Sequence, residues 1–148
     1  PLQNASFSMV TLHRPSNVDD SKTLELLLDE LLIVAQQMDL IWPLHPRTKA
    51  RIEALGRMDE LLEHDAVHLM GPLGYIDFMN GIMHSKCVIT DSGGIQEETT
   101  WLGGPCITLR PQNDRLPSLR EPMYSQPQPR CNLNSAKSKI NLVPSKLK

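Results

Sequence analysis

The feature that most constrains the fold of this chain is a regular alternation of short apolar runs with segments of helical periodicity. Five runs of four to six residues predict buried strands at residues 7–12, 40–44, 66–70, 87–90 and 106–109. Between them, four segments are typical of helices, at residues 24–35, 47–55, 75–84 and 95–102, and Asp20 or Ser21 is placed to cap the first of these. Such alternation indicates βαβ units, so the predicted fold is α/β, with a parallel sheet and helices on both faces.

The distribution of charge divides the chain near residue 121. Residues 1–121 carry a net charge of −7, whereas residues 122–148 carry +5 and contain no acidic residue. The second segment is also rich in Pro and Ser and has no sustained apolar period, so burial cannot easily offset its ordering entropy. We therefore predict one domain over residues 1–121 and a basic, poorly ordered tail over 122–148. A basic arm that binds an acidic partner is the alternative for this tail.

Composition excludes several classes of protein. The net charge of −2 argues against a nucleic-acid binder, and no apolar run approaches the roughly 20 residues of a membrane span. The three cysteines, Cys87, Cys106 and Cys131, lack the spacing of a disulfide framework or a zinc site. No other set of residues has metal-ligand spacing, and the phosphate-binding P-loop motif is absent. A reduced, cytoplasmic setting is the simplest interpretation.

The strongest functional signal is the sequence TDSGGIQEE at residues 90–98. A strand enters a Ser92-Gly93-Gly94 turn and a helix leaves it, which points free N–H groups and the positive end of the helix dipole outward. Such a turn is suited to a phosphate or diphosphate, and its glycines remove side-chain obstruction and allow unusual backbone angles. Glu98 lies one helical turn after Gly94, where it can accept hydrogen bonds from the hydroxyls of a ribose. The alternative is a glycine turn beside a solvated pair of glutamates.

Polar residues also follow the first two predicted strands. His13 is a candidate general acid or base, because imidazole exchanges protons near neutral pH, and Arg14 is a candidate phosphate ligand. His45 repeats the pattern after the second strand. For each of these, a solvated loop residue is the alternative. Phe78 lies on the predicted helix at residues 75–84, just before the strand that leads to Ser92, and its ring could stack on a base. Its helical spacing from Tyr75 and Ile82 is equally typical of core packing.

Four stretches together resemble the non-hydrolysing UDP-N-acetylglucosamine 2-epimerase family. They are VTLHRPSN at 10–17, PLHPR at 43–47, YIDF at 75–78 and TDSGGIQEE at 90–98. The resemblance covers about residues 7–121 and only the C-terminal half of a family member. It implies one Rossmann-like half of the two-domain GT-B architecture, whose active site lies between the halves.

The resemblance also implies roles for individual residues. Ser92, Gly93 and Gly94 would hold the diphosphate of UDP, Glu98 would bind the ribose hydroxyls, and Phe78 would stack on uracil.

In the same way, the resemblance places His13 at the sugar-phosphate end of the site, where it would take part in catalysis. Arg14 and His45 would line the cleft. The family interconverts UDP-N-acetylglucosamine and UDP-N-acetylmannosamine by eliminating UDP and adding it back, and it needs no redox cofactor.

The family's acidic residues that move the C2 proton lie in the N-terminal half, which this sequence lacks. We therefore expect a fragment that binds UDP but does not catalyse turnover alone. Its expected partners are a UDP-sugar, the missing half and a second copy of the chain in a homodimer. The alternatives are a nucleotide-sugar binding or regulatory module, half of a GT-B glycosyltransferase, or an unstable remnant.

Overall fold

The computed structural model describes residues 6–109, which form five strands and six helices. The strands are β1 (Phe7–Thr11), β2 (Asp39–Pro43), β3 (Val67–Met70), β4 (Cys87–Thr90) and β5 (Cys106–Thr108). The helices are α1 (Pro15–Val18), α2 (Ser21–Ala35), α3 (Pro46–Ala54), α4 (Met58–Glu63), α5 (Tyr75–His84) and α6 (Gly93–Leu102). All five predicted strands and all four predicted helices are present. The tail predicted for residues 122–148 lies outside the described residues.

The strands form one sheet in the order β3-β2-β1-β4-β5, and every neighbouring pair is parallel. The chain builds outward from β1 to β3 and then returns to the other side of β1 with β4. This reversal opens a crevice between the carboxyl ends of β1 and β4, which is where α/β sheets bind their ligands. The register Thr11↔Thr90 aligns those two ends.

Helices cover both faces of the sheet, as predicted. On one face, buried leucines of α2 pack against a cluster that includes Val10, Leu40 and Trp42. On the other face, α5 and α6 pack against a smaller cluster that includes Met9, Ile41 and Val88. The alternation of Met9 and Val10 between the two clusters is the two-residue period of a strand buried on both faces.

The helix boundaries follow local chemistry. Asp20 caps α2, because its carboxylate accepts a hydrogen bond from Thr23 N at 3.0 Å. After α3 the chain turns at Gly56, whose φ of +69° is in the left-handed region that favours glycine. The sequence did not indicate α1 and α4, and α6 starts at Gly93, two residues earlier than predicted.

Candidate nucleotide-binding site

The turns after β1 and β4 meet at the switch point through the side chain of Asp91. Its carboxylate is fully buried and accepts hydrogen bonds from the backbone N–H groups of His13 at 3.0 Å and Arg14 at 2.8 Å. It also accepts from Nδ2 of Asn17, which lies on α1, at 3.1 Å. Two consecutive N–H groups and one amide thus satisfy the buried charge, as burial requires. The structure therefore brings His13 and Arg14 beside the Ser92 turn.

The imidazole of His13 lies against the same carboxylate. Its Nδ1 is 3.4 Å from Asp91 Oδ1, and the side chain is 46% exposed. The ring therefore stands at the rim of the crevice between two strand ends, with one nitrogen facing Asp91. This position fits the predicted role of His13 but does not by itself establish it.

The predicted phosphate turn forms the start of α6. Ser92 is the N-cap: its Oγ accepts from Ile95 N at 3.4 Å, which leaves the hydroxyl hydrogen available for donation. The backbone N–H of Ser92 is bound to Thr90 Oγ1 at 3.0 Å. Within residues 6–109, no acceptor is bound to the N–H groups of Gly93 and Gly94, and both residues are exposed. The helix therefore presents two free donors at its positive end.

Of the two purposes expected of these glycines, the structure supports open access to the backbone and not unusual backbone angles. Neither adopts a positive φ, since in the described part of the chain only Gly56 and Gly103 do so, and both Gly93 and Gly94 belong to the first helical turn. The expectation of unusual backbone angles was therefore wrong. A Cβ on Gly93 would have no atom within 4 Å. The fold thus tolerates a side chain at this position, and what glycine supplies is open access to the backbone N–H groups.

Glu98 and Phe78, the two predicted nucleoside contacts, lie on different helices. Glu98 is half-buried on α6, one turn after Gly94, whereas its neighbour Glu97 is exposed. Phe78 lies in the first turns of α5, near the carboxyl edge of the sheet because α5 starts where β3 ends. Its ring is partly buried against the cluster that includes Met9. Core packing therefore accounts for part of the ring, and base stacking stays a prediction for the rest.

His45 lies at the same edge of the sheet, one strand beyond His13. It caps α3, with Nδ1 accepting from Arg47 N at 3.2 Å, and its side chain is exposed. In the first turn of α3, buried Thr48 donates to the carbonyl of Leu12 at 2.6 Å, which ties the helix to the end of β1. The structure thus places His45 on the rim without direct contact to the Ser92 turn.

An ion-pair cluster fixes α1 relative to α3. Asp19, which follows α1, receives hydrogen bonds from the guanidinium groups of Arg47 and Arg51. The hydrogen bond from Arg47 is the main reason that the pKa of Asp19 is lowered and that the pKa of Arg47 is raised. The guanidinium of Arg47 is therefore paired with Asp19 at the carboxyl edge of the sheet.

Over residues 6–109, no three His, Cys, Asp or Glu side chains are grouped so that they could hold a metal ion. No helix in that range is long and apolar enough to span a membrane.

The sheet order, the helices on both faces and the crevice at the switch point define a Rossmann-like domain of the kind that forms one half of a GT-B protein. The model of the family UDP-N-acetylglucosamine 2-epimerase matches residues 1–123, so the chain belongs to that family.

Individual relatives agree. The UDP-N-acetylglucosamine 2-epimerase of Methanocaldococcus jannaschii is 34% identical over 111 residues, which is 74% of this chain and 30% of that protein. Its crystal structure in complex with UDP-GlcNAc and UDP matches with a TM-score of 0.68, at 34% identity, over 71% of this chain and 29% of that one. The UDP-2,3-diacetamido-2,3-dideoxy-D-glucuronate 2-epimerase of Pseudomonas aeruginosa is 38% identical over 109 residues, 73% of this chain and 29% of the relative. The chain thus spans about a third of the length of these relatives.

A more distant match extends the fold comparison to glycosyltransferases. An E. coli heptosyltransferase, solved with ADP, matches with a TM-score of 0.52 at 16% identity, over 76% of this chain and 36% of that one. At this level of identity the match concerns the fold alone.

Sequence reasoning missed Asp91 as a site residue, although it identified the motif that contains it. The available signal was its position just after the apolar run Cys87-Val88-Ile89 and Thr90, where a carboxylate is buried together with the strand end. Asn17 and Thr48 were missed for a different reason, because their partners Asp91 and Leu12 are 74 and 36 residues away along the chain.

Proposed function

We propose that this chain provides the UDP-binding half of a UDP-sugar 2-epimerase. The observation that carries the proposal is the start of α6, where the free N–H groups of Gly93 and Gly94 open beside the His13 turn at the switch point. The family membership and the solved relative with UDP-GlcNAc and UDP support the same ligand.

The diphosphate of UDP would bind at the first turn of α6. An anion there meets the N–H groups of Gly93 and Gly94, the hydroxyl of Ser92 and the positive end of the helix dipole. Arg14, in the neighbouring turn, would add a cation on the opposite side of the crevice. Phosphates are held well by this combination, because hydrogen bonds to a charged acceptor are about twice as strong as neutral ones.

The nucleoside would extend along α6 toward α5. The half-buried carboxylate of Glu98 would accept hydrogen bonds from the ribose hydroxyls, one helical turn beyond the diphosphate. The remaining exposed surface of the Phe78 ring would stack on uracil. His45, on the rim at the end of β2, would line the cleft on the sugar side.

The reaction itself proceeds by elimination and re-addition of UDP. Loss of the C2 proton and cleavage of the bond between C1 and the phosphate oxygen give a glycal and UDP. Return of the UDP oxygen to C1 and of a proton to the opposite face of C2 gives the epimer. His13, beside the leaving diphosphate, would take part in this exchange as the catalytic residue of this half.

The 148-residue polypeptide would bind UDP without turning over the sugar, because the groups that move the C2 proton would come from the other half. That half, on the same or a separate polypeptide, is the expected partner, and a homodimer is a further expectation. The cytoplasm is the expected location. Mixing the chain with an N-terminal half and following UDP-N-acetylmannosamine by NMR tests this division of labour, and steady turnover by the lone chain contradicts it.

The test of the nucleotide site is calorimetric titration of UDP and of 2′-deoxy-UDP into the full chain. We expect saturable binding of both ligands, with UDP bound about ten- to a hundred-fold more tightly than 2′-deoxy-UDP. This ratio corresponds to the loss of one hydroxyl that is hydrogen-bonded to a carboxylate. Glu98→Ala should weaken UDP binding and remove the difference between the two ligands. Glu97→Ala is the matched control and should leave both affinities unchanged. A folded chain that binds neither ligand contradicts the proposal.

A further inference from the structure

Asp91 is the only charged side chain that is fully buried among residues 6–109. A carboxylate removed from water is costly unless hydrogen bonds replace its hydration. Here the replacement is one-sided, because within residues 6–109 every hydrogen-bond donor to this carboxylate belongs to the turn after β1 or to α1: His13 N, Arg14 N and Asn17 Nδ2. The buried charge that directly follows β4 therefore holds the segment that carries His13.

The same carboxylate determines what the His13 ring meets. The backbone N–H of His13 donates to both oxygens, at 3.2 and 3.0 Å, which fixes the start of the side chain directly over the carboxylate. The ring then places Nδ1 3.4 Å from Oδ1. Nε2 lies on the opposite side of the ring, away from Asp91.

A neutral imidazole carries a proton on only one of its two nitrogens. Which nitrogen carries the proton depends on the hydrogen-bonding groups that the two nitrogens face. A carboxylate accepts hydrogen bonds and does not donate them, so it favours a proton on Nδ1. The lone pair then belongs to Nε2. The His13 side chain is 46% exposed, so without Asp91 both ring nitrogens could hydrogen-bond to water and neither tautomer would be selected by the protein.

We propose that Asp91 is a positioning residue that holds His13 in the Nδ1–H tautomer and presents Nε2 to the substrate. The assignment of a substrate to Nε2 rests on the proposed function, whereas the tautomer does not. In this arrangement Nε2 accepts a proton or a hydrogen bond from the reacting groups, and the protonated ring donates from the same atom. We expect the 3.4 Å contact to shorten to a hydrogen bond when a ligand orders the ring, since catalytic hydrogen bonds often tighten on complex formation.

The test is NMR of the full chain with ¹⁵N-labelled histidine, in which long-range proton–nitrogen couplings distinguish the two tautomers. The His13 signal is identified by its loss in His13→Gln. In the unmutated chain, at a pH where the ring is neutral, we expect Nδ1 to carry the proton. A neutral His13 ring with its proton on Nε2 overturns the proposal, and this measurement needs no variant of Asp91.

Asp91→Asn then tests the cause. The asparagine side chain keeps the shape of aspartate but loses the charge, so the Nδ1–H population of His13 should fall. Asp19→Asn, which alters an exposed aspartate after α1, is the matched control and should leave the tautomer unchanged. A folded Asp91→Asn chain with an unchanged tautomer contradicts the proposal. Titration of UDP into the same sample separates the positioning role from the proposed function. If the chain does not bind UDP but Nδ1 of His13 carries the proton, the proposed function is wrong and the positioning role of Asp91 stands.

Discussion

The side-chain hydroxyls of Thr11 and Thr90 lie 2.6 Å apart at the paired carboxyl ends of β1 and β4. Both residues are buried, and Thr90 Oγ1 also accepts the hydrogen bond from Ser92 N. One hydroxyl therefore joins the two strands that border the crevice and also fixes the first residue of the phosphate turn. The preorganisation of the candidate site thus begins inside the sheet.

Replacing Thr90 with valine should weaken both the fold and the site. The change keeps the shape of the side chain but leaves the Ser92 N–H and the Thr11 hydroxyl without their partner, at a cost of about 1–3 kcal/mol. We expect a lower free energy of unfolding in urea and a lower affinity for UDP in calorimetry.

Thr108→Val is the control for this substitution. Thr108 pairs with Thr90 in the sheet register and is fully buried, but its Oγ1 has no hydrogen-bond partner among residues 6–109. Valine should therefore be neutral or stabilising there. Equal losses of stability and affinity in the two variants would show that the Thr90 hydroxyl has no special role.

Gly93→Ala should separate folding from binding. A Cβ at this position has no atom within 4 Å and the residue is already helical, so the melting temperature should be unchanged or slightly raised. Because helical Cβ atoms tilt toward the N-terminus of the helix, we expect the methyl group to obstruct access to the N–H groups that would hold the diphosphate. We expect the affinity for UDP to fall by about tenfold or more, which corresponds to at least about 1.4 kcal/mol.

Gly56→Ala is the converse variant. The φ of Gly56 is +69°, and an L side chain in the left-handed region costs about 1–2 kcal/mol. Gly56 follows α3 at the end remote from the carboxyl edge of the sheet. Stability should fall while the affinity for UDP is retained, and a loss of UDP binding here would argue against the placement of the site.

Leu28→Ala and Leu26→Ala test the face that α2 buries. Leu28 is 0% exposed in the larger core cluster, so its truncation should cost about 2–5 kcal/mol in urea unfolding. Leu26, on the same helix, is 41% exposed, and its truncation should change stability by about 0.5 kcal/mol or less. Similar losses in both variants would contradict the observed orientation of the helix.

The strands were predictable from the sequence because each contains a short run of mostly apolar residues. β1, β4 and β5 are buried throughout and β2 is buried at its centre, whereas the edge strand β3 is buried only at Val67. The helix at residues 24–35 was predictable because its leucines repeat with the helical period and Asp20 caps it. In contrast, α1 has four residues and α4 has six, too few for a period to emerge. Their helical state depends on contacts with neighbouring elements rather than on a local pattern.

The site was only partly predictable for a related reason. A turn such as Ser92-Gly93-Gly94 carries its chemistry in consecutive residues, so its position and the class of its ligand can be inferred from the local sequence. The role of Asp91 depends on the pairing of β1 with β4, which brings together residues 78 positions apart. The true conformation of Gly93 was also not evident, because glycine fits a helical start as readily as a left-handed turn.

The ion pairs of Asp19 with Arg47 and Arg51 should make stability depend on pH at the acid end. Because these arginines lower the pKa of Asp19 below the ordinary 3.8, the stabilising effect is fully present above that pH and is lost as the pH falls through the lower folded value. Asp19→Asn should therefore melt below the unmutated chain at neutral pH, and the difference should shrink below about pH 3.8. High salt should reduce it as well, since the pairs are exposed. A difference in melting temperature that is constant from neutral to acid pH would mean that the Asp19 charge does not stabilise the junction of α1 and α3.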